Sequence, residues 1–305
     1  MKISFIIASV DRNKQLGECI RSIEKAHEYS RDIPIEILVV IQKVKQKIEI
    51  PIHYPDFTFF FYIDKIGLSV ARNFAIAKSS ANYFVFLDDD AAVKEDFIYV
   101  LAKKIKEYSG INAFCGRLTD ISRNIPFSVL FGDGDPKKLR RWNYQYFMGS
   151  GHVLGKEVIE KIGLYDERFG VGAKYYGSEE SDIFFRLKAD KEQVIYLPEL
   201  NFYHPVISAS SDYVYKYSYG FGAVLVKNCI NDKAYFFVYC FIFLGRTVKV
   251  FIRILQKLIL KGMYEEKDKK YHYSSVLRGM FKGLNDFVVK EFLSPKTAKA
   301  QGSIS

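Results

Sequence analysis

The sequence is short of several things that would define simpler protein classes. Its four cysteines, Cys19, Cys115, Cys229 and Cys240, form no CxxC pair among 305 residues. Their spacing and apolar neighbours exclude a paired-thiol framework and suit reduced core or membrane-facing residues of a cytoplasmic protein. No apolar run reaches the ~20 residues needed to span a bilayer. The longest, 234–245, has only 12. The opening "MKISFIIASVDR" carries a lysine and a short apolar run, but Asp11 and Arg12 follow at once without a small-residue cleavage site. It reads as a first core strand rather than a signal peptide. "SVDRNKQLG" after that strand is no glycine-rich phosphate loop, which speaks against a nucleotidyl or phosphoryl transferase. No nucleic-acid recognition signature and no internal repeat are present. Only the final "SPKTAKAQGSIS" has a disordered composition.

What is present is a sizeable apolar fraction and a positive balance. Hydrophobic residues make up 49% and aromatics 16%, enough for a real core in one large or two small domains. The net charge of +10 calls for an anionic partner: nucleic acid, a phosphorylated small molecule or anionic lipid. Apolar strands are predicted at 2–10, 35–41, 57–63, 83–87 and 113–117, with helical spacing at 14–26, 69–78 and 94–107. That alternation argues for a parallel sheet covered on both faces. In such sheets ligands bind beyond the carboxyl ends of the strands.

"YFVFLDDDAAV" stands at one of those ends. The apolar run Tyr83 to Leu87 stops abruptly in Asp88, Asp89 and Asp90. Three adjacent carboxylates repel one another and resist burial, unless a divalent cation supplies the opposite charge. Magnesium or manganese held by one or two carboxylates keeps positions free for substrate phosphates. Further on, "GSEESDIFFRL" puts Asp182 and Arg186 on one helix face, where a salt bridge can form. Glu179 and Glu180 fall at the mouth of that helix, where its dipole favours them.

Taken together, "GLSVARNFAIAKSSANYFVFLDDDA" (67–91), "GLYDERFG" (163–170), "GSEESDIFFRL" (177–187) and "YLPELNFYHP" (196–205) resemble family 2 glycosyltransferases of the GT-A fold, over roughly residues 1–230. The resemblance implies a Rossmann-like mixed α/β sheet flanked by helices. Its donor-binding half would cover 1–120 and its acceptor half 121–210. The implied enzyme is an inverting transferase that uses a nucleoside-diphosphate sugar, UDP-linked by preference, and Mn2+ or Mg2+. Asp90 then reaches the metal, Asp88 faces metal, nucleoside and sugar, and Asp89 is a further donor contact.

The family commonly has Glu-Asp where this chain has Glu179-Glu180, and its second residue is the base. The base is therefore Glu180, with Glu179 a competitor. Gln42 stands where an aspartate often contacts the nucleobase. Ser9, Asp11 and Arg12 follow as nucleotide contacts, with Asp11 equally suited to cap a helix. Arg72 and Asn73 match an element near the diphosphate. Gly149 and Ser150 match the segment that closes over the donor sugar, and His204 matches a histidine near the metal. Trp142 and Asp182 are acceptor candidates, Trp142 being equally suited to surface packing.

The tail, 211–305, changes character. Arg246, Lys249, Arg253, Lys257 and Lys261 recur every three or four residues, forming one basic stripe opposite Phe251, Leu255, Leu258 and Ile259. With "AYFFVYCFIFLG" before it, this reads as a helical extension lying in a membrane interface. The expected setting is the inner face of the cell membrane, with an anionic membrane surface and a saccharide or lipid-linked saccharide as partners. Nucleic acid is not among the expected partners, because the charge concentrates in this aromatic-rich tail.

Overall fold

The alternation of strand and helix patterns builds the sheet it foretells, with antiparallel strands added in its second half. A computed structural model describes residues 1–10, 13–42, 54–128, 132, 134–206, 210–259 and 272–293. The chain divides into two compact units, Met1–Ser210 and Ser211–Ser305.

The first unit begins with β1 (Ile3–Ser9), α1 (Asn13–Glu28), β2 (Ile35–Gln42), β3 (Thr58–Ile63), α2 (Leu68–Lys78) and β4 (Tyr83–Asp88). The short β5 (Ala92–Val93), α3 (Phe97–Glu107), β6 (Ala113–Asp120), β7 (Ile125–Pro126) and β8 (Lys137–Lys138) follow. After a 3-10 turn at Arg141–Tyr146 come β9 (His152–Gly155), α4 (Lys156–Ile162), α5 (Glu179–Ala189) and β10 (Ile195–His204). The main strand order is β3-β2-β1-β4-β9-β6-β10-β5.

The strands β1 to β4 are mutually parallel and nearly wholly apolar in their central members, as sheets covered on both faces require. The sheet is mixed, as the family resemblance implies: β9 runs antiparallel to both β4 and β6, a direction that the alternation of strands and helices alone does not give. Its four residues lie in a glycine- and aromatic-rich segment, too short for any period to show. Helix α3 begins at Phe97 rather than 94 because Ala92 and Val93 are drawn into β5. That pairing matters below, since it sets Ala92 opposite Tyr203 of β10.

The second unit contains α6 (Ser211–Asn231), α7 (Phe236–Ile259) and α8 (Tyr273–Phe287). Helices α6 and α8 touch backbone to backbone. A Cβ added at Gly222 would lie 2.1 Å from Met280 O, and one at Gly283 would lie 1.9 Å from Tyr219 O. Only glycine permits so close an approach. The apolar run 234–245 is only part of a longer helix. Helix α7 runs 24 residues through Gly245 and is long and apolar enough to cross a membrane by length and composition. The reading that no segment suffices is thereby corrected, because a helix tolerates a glycine and scattered basic residues that break an apolar run in the sequence.

Candidate active site

Asp88 closes β4, with Ala8 of β1 beside it in parallel register. Asp89 and Asp90 follow in a turn, and the three carboxylates do not share one environment. Asp89 turns into the sheet, where it is buried and its Oδ2 accepts a 2.7 Å hydrogen bond from Ser9 Oγ. Asp88 and Asp90 turn toward β10. Because β5 pairs with β10 up to Tyr203, the next residue, His204, arrives beside them. Its Nε2 lies 3.3 Å from Asp88 Oδ2 and 3.2 Å from Asp90 Oδ1.

The His204 ring is oriented by its other nitrogen, which sits 2.8 Å from Pro205 O and donates to it. That leaves Nε2 addressing the carboxylates, the arrangement in which a backbone carbonyl fixes the tautomer of a metal-ligating histidine. One donor atom from each of Asp88, Asp90 and His204 falls within 4.8 Å of the others. Burial pulls the imidazole toward its neutral form, but hydrogen bonds and charge from Asp88 and Asp90 outweigh this and raise its pKa to about 10. The protein thus gathers two anions around one point and holds a cation against them. The donor set, two hard carboxylates and one imidazole, fits a divalent ion such as Mn2+.

A second cluster is organised by Arg72 of α2, which is 1% exposed. An unpaired guanidinium at that depth would be prohibitive. Arg72 Nη1 donates to Glu179 Oε1 at 2.9 Å, and Nη2 donates to Gly149 O at 2.9 Å and lies 3.5 Å from Asp88 Oδ1. Its guanidinium carbon stands 5.7 Å from the Phe86 ring and 5.5 Å from the Tyr165 ring. The arginine expected near the diphosphate therefore joins the triple-aspartate end of β4 to the start of α5.

The entry to α5 is a tight turn in which Gly177 (φ 79°) and Ser178 (φ 64°) are both left-handed. A non-glycine residue there is uncommon and concentrates at functional turns. The turn sends Glu179 inward, 4% exposed, onto Arg72. Glu180 remains partly exposed, its carboxylate accepting from Ser181 Oγ at 3.2 Å. Burial raises the Glu180 carboxyl above its ordinary range, and the neighbouring Glu179 charge raises it further. Raised to about 8, this carboxyl is a proton acceptor in the fraction that is ionised, which grows as the pH climbs toward that value.

Other expected residues have different surroundings. Ser150 Oγ accepts the Asp88 N–H at 3.3 Å, so the 149–150 segment does meet the aspartate run. Gln42 is buried, and its Oε1 accepts the Gly67 N–H at 2.7 Å, anchoring the start of α2. Asn73 accepts from Tyr165 N at 3.0 Å and donates to Tyr165 O at 2.9 Å. Both ends of its amide are engaged with the 165 segment.

Asp182, named as an acceptor candidate, is engaged in the salt bridge that helical spacing also suggested. It is fully buried and accepts from Arg186 Nε at 3.0 Å, while Arg186 Nη1 and Nη2 donate to Ile162 O and Leu164 O. The pair joins α4 to α5. Trp142 is 54% exposed with the Arg140 guanidinium 5.4 Å over its ring. Asp11 and Arg12 lie outside the described residues.

Two residues that sequence reasoning did not single out support the site from below. His152 is completely buried, stacked on Phe86, with Nδ1 2.7 Å from Met148 O and Nε2 2.6 Å from the Tyr165 hydroxyl. Burial, then the nearby Arg72 charge, lowers its pKa to about 3, so it stays neutral. Tyr165 belongs to the "GLYDERFG" segment and carries the floor under Arg72. A lone histidine after "FMGSG" gave no sign of facing inward.

Comparison with known proteins agrees with this geometry. The sequence profile of Glycosyl transferase family 2 matches residues 4–163, half of the chain. A glycosyltransferase, GlyA, of Streptococcus pneumoniae serotype 4 is 29% identical over 126 residues, which cover 41% of this chain and 14% of that protein. Among solved structures, the mannosyltransferase PcManGT of Pyrobaculum calidifontis, in complex with GDP-Man and Mn2+, superposes with a TM-score of 0.64 at 14% identity. The match covers 93% of this chain and 87% of that one. S. aureus TarS 1–349 in complex with UDP superposes with a TM-score of 0.54 at 14% identity, covering 74% of this chain and 66% of that one. The mixed sheet, the strand-end aspartates and the matched profile lead to one conclusion: the chain belongs to glycosyl transferase family 2, a glycosyltransferase of the GT-A fold.

Proposed function

We propose that the enzyme transfers a sugar with inversion from a nucleoside-diphosphate sugar to a hydroxyl of a saccharide or lipid-linked saccharide, in surface polysaccharide or glycolipid synthesis. The convergence of Asp88, Asp90 and His204 on one point carries the reading. These three residues hold the divalent ion, Mn2+ or Mg2+, which when bound offsets the charge of the leaving diphosphate. Mn2+ is the better match to a site that includes an imidazole.

Glu180 is the base in this proposal. It takes the proton of the attacking acceptor hydroxyl as that oxygen bonds to the anomeric carbon and the nucleoside diphosphate departs. Glu179 is unsuited to the role because Arg72 already occupies its carboxylate. Arg72 instead fixes the 149–150 segment against Asp88, keeping donor and acceptor parts in register. The UDP and GDP-Man bound by the TarS and PcManGT structures support a nucleotide donor. Uridine remains our choice of base.

A panel of nucleotide sugars, each with Mn2+, tests the proposal by thermal shift, since a ligand of the folded state raises its stability. The matching donor should raise the melting temperature only when the metal is present. Its anomeric configuration should invert in the product. A retained configuration, or a donor shift indifferent to chelation, would refute the mechanism.

A further inference from the structure

The second unit carries a surface that catalysis does not use. On α7, Phe237, Phe241, Leu244, Val248, Phe251 and Leu255 are all exposed, from 46% at Val248 to 83% at Phe237. Their spacing of four, three, four, three and four residues places them on one face of the helix. At ~1.5 Å per residue the stripe is roughly 27 Å long. The opposite face is buried through Tyr239, Ile242 and Val250. Soluble monomers rarely leave so continuous an apolar patch in water.

We infer that this face docks α7 flat into the surface of a membrane containing anionic lipid. Charge decides the occupant. Helix α7 contains no acidic residue, and Lys249 and Arg253, both exposed, lie roughly 120° and 160° round the helix from the middle of the stripe, within reach of headgroups by their long side chains. A second copy would add another cationic helix with no carboxylate on α7 to offset it, and each chain carries a net +10. Anionic headgroups supply the missing partner. Lying flat rather than spanning follows from the two-faced burial, because a span would carry Lys249 and Arg253 into hydrocarbon.

The structure also narrows which basic residues take part. Arg246 is turned away, its guanidinium 4.5 Å over the Phe221 ring of α6. Lys261 and the side chain of Lys257 lie outside the described residues. The expected five-residue stripe is thus reduced to Lys249 and Arg253 among the described side chains. This inference stands apart from the assignment of catalytic roles.

Co-sedimentation of the full chain with phosphatidylcholine vesicles, with and without phosphatidylglycerol, tests it. Wild type should bind the anionic vesicles and retain part of that binding at high salt. Lys249→Gln with Arg253→Gln should weaken binding ~10-fold or more at low salt and far less at high salt. Phe237→Ser, Phe241→Ser and Leu244→Ser together should weaken it ~10²-fold at every salt concentration. Phe251→Ser with Leu255→Ser should act in the same direction, giving an independent reading should the triple variant melt earlier than wild type.

Wild type that ignores anionic vesicles would overturn the inference. So would apolar variants that bind as tightly as wild type. A dimer that the apolar variants dissociate, without vesicle binding, would assign the face to a second copy instead. Resistance to alkaline carbonate extraction, with protection of α7 from added protease, would replace docking by spanning.

Discussion

The two acidic runs of this enzyme, Asp88-Asp89-Asp90 and Glu179-Glu180, look alike in sequence and are divided alike by the fold. In each, one carboxylate is turned inward and satisfied: Asp89 by Ser9, Glu179 by Arg72. The remainder face the working side. The partners differ in kind. A hydroxyl holds Asp89 in place, whereas a buried guanidinium holds Glu179 by charge, and the Glu179 carboxylate still acts on Glu180 beside it. Acidic runs at a site are therefore divided between support and chemistry, because adjacent side chains leave the backbone in different directions, about 100° apart on a helix.

The sharpest way to break this comparison is at Asp90. Asp90→Asn should abolish transfer and weaken metal-dependent nucleotide binding while preserving the fold, because losing one carboxylate relieves repulsion in the free protein. Near-wild-type turnover without excess metal would remove Asp90 from the ligand set. Next in size, Glu180→Gln should retain donor binding and lower kcat by ~10²-fold or more. If it lowers donor affinity and spares kcat, Glu180 is not the base.

Glu179→Gln should cost less in rate and more in stability, since it leaves the Arg72 guanidinium without its buried counter-charge. It should also move the pH profile. Glu180 must be ionised to accept a proton, so kcat/KM should rise with pH through a raised carboxyl pKa. Removing the Glu179 charge should shift that acid limb to lower pH. An unmoved limb would mean that the two glutamates do not communicate. Smallest of all, Asp89→Asn should preserve metal dependence and reduce melting temperature slightly, because an amide can still accept from Ser9. A loss as large as that of Asp90→Asn would make Asp89 a ligand and undo the division.

Much of this was legible in advance. The strands 83–87 and 113–117 announced themselves by apolar runs, and Asp88 to Asp90 by the cost of clustering at a strand end. The pairing of Asp182 with Arg186 followed from helical spacing, though the sequence did not show that it would be fully buried. What stayed hidden depended on residues far apart in the chain. The antiparallel β9 has four residues, His152 lacks any local pattern, and Asn73 beside Arg72 looked like a second polar contact. Its amide is spent on Tyr165, which only the return of the chain to α2 reveals. The exposed face of α7 was legible as composition, but its true edge was not, because Arg246 folds back onto Phe221.

Helix α2 has a consequence for how the protein comes into being. Ser69, Arg72 and Asn73 hold Phe169, Glu179 and Tyr165, partners 100, 107 and 92 residues downstream. During synthesis, which delivers the chain from its N-terminus, α2 and the parallel strands emerge long before those partners. Contacts of such separation form late, after the loop between them has closed. The strand-end aspartates are thus made early, but Glu180 cannot be set beside them until α5 docks on Arg72. Assembly of the catalytic centre becomes one of the last events of folding, so a chain halted before residue 165 should carry the sheet's parallel core without any catalytic competence.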